Sequence, residues 1–155
     1  MAVRKGKGSK IRFLVLAAAN SARPADNALT LITGVQTSDI TGTQEMDDAP
    51  TGDYESTNAN LWRDGDSVAS LGWTFGLSAH VTDVAGQTAA LKSLWDAWAA
   101  GKTVWIERLR PGDTHWRGGR AIVQDPTEPV PYDGELTFDC SFLGQGAIVE
   151  TIVAV

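Results

Sequence analysis

Residues 69–81 alternate without a break. Ala69, Leu71, Trp73, Phe75, Leu77, Ala79 and Val81 interleave with Ser70, Gly72, Thr74, Gly76, Ser78 and His80. A period of two sends successive side chains to opposite faces, so the pattern predicts a long strand with one apolar and one small, polar face. The period then changes. Thr82 or Asp83 can cap a helix, and Leu91, Leu94, Trp95 and Trp98 recur at helical spacing up to Gly101, the expected stop. This predicts one amphipathic helix over 84–100 whose Leu/Trp stripe covers a sheet, with Gly86 weakening its first turn.

Strand signals surround the helix. Residues 11–19 read as a buried first strand, and 28–32 and 35–46 as strands joined near Gly34. Residues 103–110 turn at Pro111-Gly112-Asp113 into 115–124, a hairpin pattern. Pro126, Pro129 and Pro131 mark a loop, after which Leu136, Phe138, Cys140 and Phe142 alternate with Thr137, Asp139 and Ser141. The expected fold is mainly β, an antiparallel sandwich or barrel with one flanking helix. Its expected core comprises Leu71, Trp73, Phe75, Leu77, Leu91, Leu94, Trp95, Trp98, Phe138 and Phe142. The 155 residues suit a single domain over 11–155, preceded by a flexible basic arm at 1–10 and interrupted by a long acidic loop at about 47–63.

Charge sharpens this picture. The net charge is -6, which disfavours a protein that grips phosphates. Of thirteen bases, Arg4, Lys5, Lys7, Lys10, Arg12 and Arg23 fall in the first 23 residues without an acid, so the remainder is strongly acidic. The basic arm followed by Phe13-Leu14-Val15-Leu16-Ala17-Ala18-Ala19 imitates a signal peptide, although Arg12 abuts a run of minimal length. No run approaches the length of a transmembrane helix.

Chemistry is scarce. His80 and His115 have no nucleophile-elbow motif beside them, and Gly6-Lys7-Gly8-Ser9-Lys10 lacks the spacing of a phosphate loop. Cys140, alternating with Phe138 and Phe142, reads as a buried structural thiol. Asp47-Asp48 and Gly52-Asp53-Tyr54-Glu55 fail the alternation of a calcium loop. The expectation is no catalytic residue, no cofactor and no metal. A rival class stays open: a secreted or periplasmic β-sandwich binding module, with residues 1–22 as a cleaved signal.

The order of elements resembles the major tail tube proteins of long, non-contractile-tailed bacteriophages, the lambda-like tail tube family. The resemblance is carried by Gly34-Val35, the acidic loop through Asp47-Asp48, Gly72-Trp73-Thr74-Phe75-Gly76-Leu77-Ser78-Ala79, and Asp83 with Gln87, Leu91 and Leu94. It continues through Gly101-Lys102-Thr103-Val104-Trp105-Ile106, Gly118-Gly119-Arg120-Ala121-Ile122-Val123, Tyr132-Asp133 and Phe142-Leu143-Gly144-Gln145-Gly146. It covers roughly residues 30–148 and carries no invariant signature. It implies a structural virion protein of the phage tail, assembled in the host bacterial cytoplasm into stacked, hexameric rings that pass double-stranded DNA. The implied partners are further copies of the chain and the tape measure, tail terminator and distal tail proteins, without a membrane.

A bore that passes DNA needs hydroxyls and scattered acids but no bases. On that ground Asp39, Glu45, Glu135 and Asp139 are the candidate lumen residues. Asp47, Asp48, Asp53, Tyr54, Glu55 and Trp62 are the candidate contacts between subunits or rings, because a polar loop of that length with two aromatic anchors suits an interface.

Overall fold

The computed structural model describes residues 6–18, 21–47 and 67–153. The chain runs β1 (Lys10–Val15), a 3-10 turn at Asp26–Ala28, β2 (Thr30–Ile32), β3 (Val35–Asp47), β4 (Ser67–His80), α1 (Gln87–Ala100), β5 (Thr103–Leu109), β6 (His115–Thr127), β7 (Thr137–Gly144) and β8 (Val149–Ile152). The eight strands of the described residues join one antiparallel sheet ordered β2-β1-β5-β6-β7-β4-β3, with β8 on β6 beyond the end of β7. The sequence pattern had called no strand after Gly144.

The sheet folds back over its own apolar face. Arg108 on β5 donates from Nη1 to the Ser38 carbonyl on β3 at 2.7 Å, although three strands separate the two along the sheet. Between these halves lie Ile11, Phe13, Phe75, Leu77, Val104, Ile106, Ala121, Val123, Phe138 and Phe142, all buried. Phe75 and Phe142, paired in register, meet edge to face at 5.8 Å, which adds about 0.5–1.5 kcal/mol beyond their burial. The mainly β fold with one helix is as expected.

Helix α1 closes the core with Ala90, Leu91, Leu94 and Ala97. It starts later than the sequence suggested. Neither Thr82 nor Asp83 caps it; Gly86, at φ 87°, opens the first turn instead. Thr82 serves a different purpose, donating its N–H to Gln87 Oε1 at 2.6 Å, while Gln87 Nε2 donates to the carbonyls of His80 (2.6 Å) and Thr33 (2.8 Å). Buried Gln87 therefore ties the helix start to β4 and to the β2–β3 connection. At the other end Gly101, at φ 64°, and Lys102 donate to the Trp98 and Ala97 carbonyls, the geometry of a glycine stop.

Two residues expected in the core lie outside it. Leu71 is 78% exposed, because β7 pairs with β4 only from Thr74 to His80 and the β3–β4 ribbon runs on past the packed layers. Trp98 is 49% exposed, because the alanines bring the helix down on the sheet and the last turn carries Trp98 beyond it. Trp98 stands edge-on to Trp95 at 5.8 Å, and Trp95 is itself half-buried against Phe138.

Candidate functional site

The face of the sheet opposite the core divides into two halves of different chemistry. On β3, β4 and β7 the register brings Thr37, Asp39, Thr41, Thr43 and Glu45 beside Ser70, Gly72, Thr74, Gly76 and Ser78, with Asp139 and Ser141 beyond. These strands contain no Lys or Arg at any position. Asp39 lies opposite Gly76, which pairs with Ser141; Asp139 lies opposite Ser78, which pairs with Thr37. The two acids thus sit two strands apart and two residues offset along them, about 12 Å at ordinary strand spacing and rise, across a floor of hydroxyls and glycines. Glu45 accepts from Ser70 Oγ at 3.3 Å. Asp39 and Glu45 are exposed to solvent and Asp139 partly so.

Why the sequence makes this surface is plain from its alternation. Phe75, Leu77, Phe138, Cys140 and Phe142 take the core side, so their neighbours must face outward. Glycines at 72 and 76 keep the surface low: a Cβ at Gly76 would lie 3.8 Å from Asp39 Cβ. Three of the four expected lumen residues, Asp39, Glu45 and Asp139, therefore share one surface. Glu135 stands at its margin, outside the paired strands. It precedes the start of β7 at Thr137, its side chain is 81% exposed, and it lies 3.2 Å from His80 Nδ1.

On β1, β5 and β6 the same face carries bases and is covered. Glu107 is 1% exposed, and its carboxylate accepts from Arg12 Nε, from Arg23 Nη2 (2.9 Å) and Nε (3.2 Å), and from Trp105 Nε1 (3.1 Å). Arg23 belongs to the segment 21–28, which crosses this half and is pinned again by Asp26 on Arg12 (2.9 Å) and on Arg23 (2.7 Å). Burial pulls Arg23 toward deprotonation, but the hydrogen bonds of Glu107 and Asp26 outweigh it and raise its pKa. Arg12 also lies over the Trp116 ring at 3.9 Å, a cation–π contact. Arg12 and Arg23 are thus held in an ion cluster beneath a strap, and the open half keeps hydroxyls and acids. The sequence reading did not find this cluster.

Cys140 is buried, and desolvation first, then the Asp139 charge, push its thiol up to about 12. It is inert at neutral pH. Among the described residues no three His, Cys, Asp or Glu side chains gather closely enough to hold a metal ion. The expected contact residues Asp48, Asp53, Tyr54, Glu55 and Trp62 lie outside the described residues, as does the side chain of Asp47.

This mainly β fold with one flanking helix is shared with solved structures of tails. The chain is similar to a protein in the virion of a native gene transfer agent particle, at TM-score 0.67 and 13% identity over 96% of this chain and 99% of that one. It is similar to a chain of the C6-symmetric tail of an empty gene transfer agent particle, at TM-score 0.65 and 14% identity, covering 98% and 100%. It is also similar to the SPP1 tail tube protein, at TM-score 0.65 and 15% identity, covering 97% and 80%. No family model and no curated protein matches the sequence. The chain has the tail-tube fold.

Proposed function

We propose that the chain is a structural subunit of a phage-type tail tube, a non-enzymatic virion protein. Copies assemble into stacked, hexameric rings, and double-stranded DNA passes through the bore. The observation that carries this reading is the base-free face of β3, β4 and β7 on a fold shared with tail tubes. A duplex carries one charge per ~1.7 Å, so a wall of hydroxyls with Asp39, Glu45 and Asp139 passes it without holding it. The outer edge of β3, thirteen residues long at the end of the sheet, gives a neighbouring copy backbone groups to meet. The acidic segment around 47–63 belongs to the same reading as a contact between subunits or rings, as do the tape measure, terminator and distal tail proteins as partners and the host cytoplasm as the place of assembly.

The test is charge reversal on the wall. Asp39→Lys with Asp139→Lys leaves assembly intact and slows genome passage, more strongly at low salt, where screening is weak. Normal infectivity of particles carrying the double variant at every salt concentration would remove these residues from the bore.

A further inference from the structure

The two ends of β6 differ in charge. The strand is thirteen residues long, about 40 Å at the rise of a strand. At and beyond its C-terminal end, residues 125–135 hold Asp125, Glu128, Asp133 and Glu135 and no base. This connection also presents Val130, 78% exposed, and Tyr132, 100% exposed. Pro129 and Pro131 stiffen it, and Gly134 is folded so tightly that a Cβ there would lie 2.6 Å from Pro131 Cγ. An aromatic side chain fully in water on a preorganised loop is the form of an interface anchor.

At the N-terminal end of β6 the sign is opposite. Arg108, Arg110, His115 and Arg117 line a concavity of about 150 Å³ with Asp113 and Glu150. Arg110 bonds Asp113, and Arg117 bonds Glu150, so the three guanidiniums outnumber the two carboxylates. Lys7 and Asp39 lie in the adjoining hollow that Arg108 and Arg110 also line. Burial first, then the charges of Arg110 and Arg117, hold Arg108 below its usual range, as a crowded positive site requires. Ile152, opposite His115 in the β6–β8 register, is 71% exposed and supplies an apolar rim.

One chain thus bears an acidic, apolar projection and a basic, apolar-rimmed socket at opposite ends of one strand. We propose that a second copy of the chain docks head to tail here, its Val130, Tyr132, Asp133 and Glu135 seating on the socket of Arg108, Arg110 and Arg117. A heterologous contact of this kind propagates from copy to copy. The proposal rests on the self-assembly reading above and adds the surfaces that meet. Asp113 and Glu150 within the socket, and the match of Tyr132 to the Ile152 rim, favour a protein occupant over nucleic acid.

The test uses the full chain and three proteins: wild type, Asp133→Lys with Glu135→Lys, and Arg110→Glu with Arg117→Glu. Sedimentation velocity and electron microscopy read assembled mass, and thermal melts confirm folding. Each reversed variant alone assembles about tenfold less than wild type. An equimolar mixture restores assembly, because each variant's projection now complements the other's socket. Arg110→Gln, which spares the Arg117–Glu150 pair, assembles more weakly and with less dependence on salt. Either reversed variant assembling like wild type overturns the contact, as does a mixture of two folded variants that stays unassembled. Wild-type assembly by the socket variant coupled with lost DNA retention would make the socket a phosphate site and also overturn it. A wild type that never assembles would instead sink the tube reading itself.

Discussion

Glu107→Gln removes one charge and almost no volume from the centre of the ion cluster. In the native protein both carboxylate oxygens accept, Oε1 from Arg12 and Arg23 and Oε2 from Arg23 and Trp105. The amide keeps one acceptor and turns the other into a donor facing two N–H groups. Arg12 and Arg23, whose side chains are 14% and 21% exposed, lose their buried counter-charge. Breaking a buried ion pair costs about 3–5 kcal/mol, because the half-exposed Asp26 is then left to balance both guanidiniums. For a domain of this size each kcal/mol moves the melting temperature by about 2–4 °C, so the melt falls by about 6–20 °C. Circular dichroism of the dilute protein, with urea unfolding to confirm an unchanged slope, measures it. A loss under about 1 kcal/mol would show that the cluster does not hold the 21–28 segment to the sheet.

Gly144→Ala places a Cβ inside the indole of Trp73, whose Nε1 donates to the Gly146 carbonyl at 3.1 Å. It costs about 1–3 kcal/mol by overpacking, whereas Gly42→Ala, with nothing within 4 Å of the added carbon, stays within about 0.5 kcal/mol in the same denaturation assay. Cys140, its thiol raised to about 12, stays unmodified by a thiol reagent in the folded protein at pH 8 and reacts at once in denaturant. Rapid labelling of the native state would contradict its burial.

Local periodicity carried much of this fold. The strict alternation in β4 and the helical spacing of Leu91 and Leu94 state which side faces inward, because burial acts on each residue in turn. The hairpin at Pro111-Gly112 was legible for the same reason, with Gly112 at φ 79° and Asp113 N–H on the Arg110 carbonyl. Periodicity does not say where a layer ends. Leu71 and Trp98 keep the phase of the core but lie past its margin, so they face water.

Long-range ion pairing left no local trace. Arg12 and Arg23 reach Glu107 across 95 and 84 residues, and nothing near any of the three announces the others. The candidate wall was partly legible, since Asp39, Glu45 and Asp139 share a face once the registers are known. Glu135 precedes the strand, and only its contact with His80 ties it to the margin of that face, which parity alone does not reveal.

The central claim is that the base-free face of β3, β4 and β7 lines a bore. A reconstruction by electron cryomicroscopy of the assembled full-length protein tests it most directly. The account predicts stacked rings whose inner wall presents Asp39, Glu45 and Asp139, with helix α1 outside that wall. Rings with the helix toward the channel, or a protein that remains monomeric at every concentration, would contradict it.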